Sequence, residues 1–298
     1  MVMRGHVKAA RAGAGAAAFL LLLAMTFGAR AADDKTVTMK ISLATINDVP
    51  HQFAKDFAAA VARDSGGRIK PEIYTASQLG SVQRQIEGVQ FGAIQVVILP
   101  PEFFAGIDER FEVLTAPGLV KSMAEGQRLA ADPAVLKLML GLGADKGLHG
   151  AALFMATQSS VIARMPIRHL GDLKGKKIRI FGSQFQSVAM TRLGATPKPM
   201  TLAEVLPALE DNALDGAVAS TAIFNAMHFQ QAAKYVTETD QPATFSVVEV
   251  SRKWYDALPA DLQQVVDRDA VAEDGPPIGR EIVLARGHVA DVVGFVGV

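Results

Sequence analysis

Hydrophobic and polar positions along this chain change period repeatedly, and each change marks a predicted element. Residues 37–44 (Val-Thr-Met-Lys-Ile-Ser-Leu-Ala) alternate well enough for a strand. Residues 52–64 place Phe53, Phe57, Ala60 and Val61 at helical spacing, and Gly66-Gly67 stops the pattern. A strand is predicted over 69–74, then a short helix with Val82, Ile86 and Val89 on one stripe. The apolar run 94–99 follows, and Pro100-Pro101 ends it abruptly. This rhythm predicts a mainly parallel sheet with helices on its faces.

The alternation then begins again. Residues 121–142 are helical in pattern, interrupted near Asp132-Pro133, and strands are predicted over 149–157 and 175–181. Thr201 reads as a helix N-cap, with Glu204 three residues on completing a capping box. Pro207 should shorten or kink that helix. A strand after Asp215-Gly216, a helix over 222–233 and a strand near 244–250 complete the series. No low-complexity linker divides the halves, so the expected fold class is α/β, arranged as two lobes.

The N-terminus has a different character. Arg4, Lys8 and Arg11 precede an apolar stretch over 12–27, and Ala29-Arg30-Ala31 has the form of a cleavage site. Residues 1–31 are therefore expected to be a signal peptide. The run over 19–27 is short for a membrane anchor, which needs roughly 20 apolar residues. Loss of Arg4, Lys8, Arg11 and Arg30 leaves 26 basic against 30 acidic residues, a net charge of −4. Nucleic acids and anionic membrane surfaces demand clustered positive charge, so neither is an expected partner. No later segment is long and apolar enough to insert in a bilayer. With no cysteine, thiolate zinc sites, iron–sulfur clusters and cysteine nucleophiles are excluded.

Enzyme motifs are missing. The six histidines show no H-E-x-x-H or H-x-H spacing, and neither a G-x-S-x-G elbow nor a phosphate-binding loop occurs. No catalytic residue, metal ligand or cofactor is expected. The most informative residue is Arg179, set between Ile178 and Ile180 on a short apolar strand. Its permanently charged, planar fork needs an anion, from the protein or from outside. On burial statistics alone such an arginine is more often a structural ion-pairing residue. Phe103-Phe104 reads as packing or cleft wall, and Lys174, Lys176 and Lys177 as a solvated loop.

Several ordered motifs carry a resemblance. Asp172-Leu-Lys-Gly-Lys-Lys-Ile-Arg-Ile180, Gly194-Ala-Thr-Pro-Lys-Pro-Met200, Glu204-Val205 and Leu214-Asp-Gly216 resemble the TRAP-type periplasmic solute-binding proteins, the dicarboxylate-binding-protein family. Gly66-Gly-Arg-Ile69, Ala76-Ser-Gln-Leu-Gly80, Ile86-Glu-Gly-Val-Gln90, Trp254-Tyr255 and Leu258-Pro-Ala-Asp-Leu-Gln263 extend the match over roughly residues 38–270.

The resemblance implies a two-lobe periplasmic binding protein fold with hinge strands and a ligand cleft between the lobes. Lobe I would span 32–154 with part of 246–298, and lobe II would span 155–245. Residues 246–298 would form a return segment and C-terminal helices. A small organic carboxylate would be the ligand, and a membrane permease with small and large subunits, driven by an ion gradient, the partner. The carboxylate-binding arginine of the family falls on Arg179. Gln158 and Ser183 are candidate polar contacts, Phe181, Leu202 and Phe245 candidate walls, and Ser220 and Thr221 further candidates. Where sialic-acid-binding members carry a second arginine, an aromatic and an acid, this chain has Gln158, Leu202 and Pro100. Their asparagine becomes Ala219. These departures predict a smaller or more apolar monocarboxylate, such as a 2-oxo or aromatic acid. Gly275-Pro-Pro-Ile-Gly279 interrupts the C-terminal helical pattern, a feature that would also fit a truncated, nonfunctional product. Two rival functions share the same α/β scaffold: the binding protein of an ATP-driven importer, and a periplasmic enzyme.

Overall fold

Residues 36–271 and 294–296 are described by a computed structural model of the protein. The expected signal peptide and most of the expected C-terminal helices lie outside these residues.

Strands β1 (Val37–Leu43), β2 (Ile69–Tyr74) and β3 (Val96–Leu99) pair in parallel, in the order β2-β1-β3. Between them lie α1 (Val49–Asp64) and α2 (Val82–Phe91). Each helix starts at a capping side chain: Asp48 accepts from the His51 amide at 3.1 Å, and Ser81 caps α2. All four residues of β3 are buried, as expected of a strand covered on both faces. Val96 and Ile98 meet Phe53, Phe57 and Val61 of α1 on one side. Val97 and Leu99 meet Ile86, Val89, Phe104 and Phe111 on the other.

Two short 3-10 segments, Pro101–Phe104 and Glu109–Thr115, lead into α3 (Met123–Ala130) and α4 (Pro133–Gly141). The predicted break at Asp132-Pro133 separates these two helices, with Asp132 capping the second.

The second lobe repeats the scheme. Strands β5 (Lys177–Ile180), β6 (Thr196–Pro199) and β7 (Gly216–Ala219) are parallel, with β5 in the middle. Helices α5 (Gln184–Arg192), α6 (Leu202–Glu210) and α7 (Thr221–Ala226) follow their strands. Thr201 and Glu204 form the expected capping box, the Thr201 amide donating to Glu204 Oε2 at 2.8 Å. Pro207 lies inside α6, which ends three residues later. The helix expected over 222–233 is split: α7 stops at Ala226, and a short turn spans Phe229–Gln231. His228, in the left-handed region at φ +56°, makes the break. This lets Phe224 and Phe229 pack edge to face, 6.5 Å apart.

Two long antiparallel strands join the lobes: β4 (Leu148–Ala163) and β8 (Tyr235–Ser251). Both are longer than the sequence pattern predicts. Their one ends pair with β3 in the first lobe, through Val247–Val250 of β8, and their other ends with β7 in the second, through Ser160–Ala163 of β4. The sheet order is β2-β1-β3-β8-β4-β7-β5-β6, with β9 (Gly294–Val296) on β8. Register slips at Gly150/Ala152, Met155/Thr157 and Gln158/Ser160. At the last slip, two steps along β4 match five along β8, from Ala243 to Glu238. Such bulges bend and twist a ribbon, and this one falls between the lobes.

Helices α8 (Arg252–Tyr255) and α9 (Ala260–Ala270) return to the first lobe. The Tyr255 hydroxyl donates to Asp267 Oδ2 at 2.5 Å, while His149 Nε2 of β4 lies 2.8 Å from Asp267 Oδ1.

Candidate functional site

Alternation along β5 decides where Arg179 points. Ile178 and Ile180 join a cluster with Val161, Leu173 and Val218, so Arg179 projects to the opposite face of the sheet. It is 1% exposed. Nε donates to the Met200 carbonyl at 3.0 Å and Nη1 to the Val218 carbonyl at 2.9 Å. The Phe181 ring centroid lies 4.7 Å from the guanidinium carbon, a cation–π contact.

These partners orient the fork without neutralising it. No carboxylate of a described residue lies within 4.0 Å of Arg179. Burial pulls its pKa down to about 10, against the raising influence of Glu102 and Glu204, so it remains a cation at neutral pH. Glu204 is exposed and occupied by its capping box.

Glu102 is 5% exposed on the turn after β3, in the opposite lobe. Its carboxyl has no hydrogen bond to another described side chain. Burial, then the nearby charge of Glu112, push its pKa up to about 7, while a hydrogen bond from its own backbone amide, and then Arg179, oppose the rise. The two segments face each other: a Cβ built on Gly182, just after β5, would lie 4.0 Å from the Phe103 ring. Phe103 is half-buried at this gap, whereas Phe104 is fully buried in the first lobe's core, 5.3 Å from Phe111.

Beside the gap, three contacts cross between the lobes. The Gln184 amide at the start of α5 donates to Glu112 Oε2 at 3.1 Å and Oε1 at 3.3 Å. Thr115 Oγ1 and Ser183 Oγ are 2.8 Å apart. Thr115 has one hydroxyl proton, which goes to the Glu112 carbonyl at 2.7 Å, so Ser183 must be the donor between the two hydroxyls. Ser183 Oγ also accepts from the Phe185 and Gln186 amides. With one donor and two acceptor positions filled, it has no capacity left for a ligand. Ser183 is thus a cap and an interlobe tie.

The other sequence-level candidates divide. Gln158 is half-buried on β4, at the register slip between the lobes. Phe181 is half-buried against Arg179. Ser220 caps α7, accepting from the Ile223 amide at 3.2 Å, and Thr221 beside it is half-buried. Leu202 packs on the second lobe's core with Val205 and Met200. Phe245 is 2% exposed among Met155, Val247 and Phe104, in the first lobe's core. Lys174 and Lys177 are exposed, as expected. Glu102, Glu112 and Thr115 were missed by sequence reasoning. One signal was available: ligands of open α/β sheets gather at the carboxyl ends of parallel strands, and Glu102 follows β3 as Thr221 follows β7.

Residues 42–281 match the family described as bacterial extracellular solute-binding protein, family 7. The chain belongs to this family. It is 27% identical over 239 residues to the C4-dicarboxylate-binding periplasmic protein of Rhodobacter capsulatus, covering 80% of this chain and 71% of that one. It is 27% identical over 238 residues to the 2,3-diketo-L-gulonate-binding periplasmic protein of Escherichia coli, covering 76% and 72%. It covers 64% of an uncharacterized Salmonella typhimurium relative, at 24% identity. The fold is similar to a TRAP periplasmic solute-binding protein of Xanthobacter autotrophicus with bound β-D-galacturonate. That match has a TM-score of 0.80 and 25% identity over 87% of this chain and 88% of the other. A Bradyrhizobium sp. TRAP protein, in complex with D-galacturonate, shares the fold at TM-score 0.81 and 24% identity, covering 88% and 89%. The α/β two-lobe architecture is that of family 7, a family of solute-binding proteins rather than enzymes. No helix among the described residues is long and apolar enough to cross a membrane, and they hold no cluster of metal-ligating side chains.

Proposed function

We propose that this protein is the solute-binding component of a TRAP-type secondary transporter. It captures a small organic carboxylate between its lobes and delivers it to a membrane permease of small and large subunits. Residues 1–31 direct export of the chain into the periplasm and are then cleaved. One observation carries the reading: Arg179 is a buried cation whose charge no described carboxylate balances within 4.0 Å. A guest's carboxylate supplies that charge, pairing with the planar fork where water screens little. Phe181 walls the anchor, Gln158, Ser220 and Thr221 border the gap, and Leu202 and Phe245 support its apolar sides. The lobes, 32–154 with part of 246–298 and 155–245, hinge on β4 and β8, and the ligand favours closure through contacts made only when both lobes meet it.

Titration calorimetry with D-galacturonate and L-galactonate, acids bound in similar structures, and with pantoate, assigned to density in another, tests the anchor. Arg179→Ala should weaken binding by about 2–5 kcal/mol, the usual effect of truncating one partner of a buried charge pair. Wild-type affinity in that variant overturns the reading.

A further inference from the structure

The departures at Gln158, Leu202 and Pro100 suggest a gap stripped of polarity, and Glu102 changes that picture. It stands two residues past Pro100, is 5% exposed, and has no ion pair or side-chain partner among the described residues. It also lies near enough to Arg179 for each to act on the other's charge. We propose that Glu102 is the second pole of the ligand site: its carboxyl, protonated in the complex, hydrogen-bonds a guest hydroxyl, so the guest is a hydroxy acid and binding draws in a proton. This rests on the reading of Arg179 as the carboxylate anchor.

The charge balance supplies the proton step. Besides its own backbone amide, which hydrogen-bonds the carboxyl and favours the ionised form, the groups acting on Glu102 are Glu112, from the neighbouring turn of its own lobe, and Arg179 from across the gap. Glu204 acts on Arg179 from the far side. Glu112 favours the protonated form of Glu102, and the positive charge of Arg179 favours the ionised form. A guest carboxylate on Arg179 cancels the latter influence. The Glu102 carboxylate then takes a proton from solvent and becomes a neutral acid, with one donor and a carbonyl acceptor. A hydroxyl both accepts and donates, which matches this pair. An apolar guest would leave the acid's O–H buried without an acceptor, the costly arrangement.

Calorimetry at pH 6 to 8.5, in two buffers of different ionisation enthalpy, tests the idea. Probes are D-galacturonate, L-galactonate, pantoate and L-lactate, against the hydroxyl-free acids pyruvate and benzoate. A hydroxy acid should bind with proton uptake. Its affinity should fall with rising pH above about 7, by up to tenfold per unit for one linked proton. Glu102→Gln, neutral at every pH, should keep most of the affinity measured at pH 6 and lose the slope. Silence from every hydroxy acid, or binding of pyruvate or benzoate alone, overturns the proposal. So does a wild-type slope persisting in Glu102→Gln. If that variant fails to fold, the buffer dependence of the wild type decides alone: equal heats in both buffers overturn proton uptake. Arg179→Ala separates the two readings. Undiminished binding there defeats the anchor, whereas lost binding with no pH slope in the wild type defeats only Glu102.

Discussion

At the scale of single residues, two buried charges tell different stories. Arg179 is buried with its fork fixed by two carbonyls and an aromatic ring, an arrangement that keeps a charge ready for an outside partner. Glu249 on β8 is 0% exposed, beside Val97 and Gly150, and neither side-chain oxygen has a partner among the described residues. Burial raises its pKa well above the ordinary value of 4.5. The native state therefore holds this proton when the unfolded chain has released it. Stability should fall as pH rises from about 4.5 towards the raised value. Glu249→Met removes the unsatisfied group at similar volume. It should stabilise the protein by about 1–3 kcal/mol at pH 8, and by less at pH 4.5. Melting curves at the two pH values check this, and an identical shift at both would refute the linkage. In the sequence, Arg179 was legible because period-two alternation isolates one cation between two isoleucines. The partners of Ser183 were not legible, since a hydroxyl at a helix start is first claimed by the helix and here also by Thr115. Glu102 went unnoticed because nothing in a linear sequence says that a turn after β3 faces β5.

At the scale of elements, one capping box and one break were the legible features. The Thr201–Glu204 box begins α6 and the break at Asp132-Pro133 separates α3 from α4, whereas the caps Asp48 and Ser81 emerged only in the structure. The lengths of β4 and β8 were not legible: the first half of β8 is polar, and its extension depends on pairing with β4. Helix α4 packs so closely on β4 that a Cβ at Gly150 would sit 2.6 Å from the Leu140 Cα and carbonyl oxygen. Gly150→Ala should therefore destabilise the fold by about 1–3 kcal/mol or more, as overpacking against backbone does, read by denaturant melts. The interlobe tie should behave differently. Thr115→Val removes the acceptor for Ser183 while keeping shape, leaving both lobes folded. Of the two hydrogen bonds lost, the one to the Glu112 carbonyl lies within the first lobe; loss of the interlobe one, about 1 kcal/mol, should weaken ligand affinity roughly fivefold. It should also enlarge the ligand-free radius of gyration in small-angle scattering. A variant as compact and as tight-binding as wild type would show that the tie does not hold the lobes together.

At the scale of the whole molecule, the two lobes are built alike, and Glu102, Arg179 and Thr221 lie at or just after the carboxyl ends of their parallel strands. A ligand gripped by both lobes must stabilise both. At a hundred times its dissociation constant it should add about 2.7 kcal/mol. That raises the melting temperature of a chain of this size by about 5–10 °C, measured by scanning calorimetry. Separate melting of the lobes with ligand present would contradict a shared grip.

The sequence by itself determined the alternation of strands and helices, the Thr201–Glu204 capping box, the absence of cysteine and enzyme motifs, and the cation at position 179. Each follows from periodicity, local hydrogen bonding or side-chain chemistry, which act over a few residues. Only the tertiary structure decided which side chains face Arg179, which hydroxyls are already occupied, and how far β4 and β8 run through both lobes. Those outcomes depend on strands far apart in the chain lying side by side, where burial and pairing outweigh local preference.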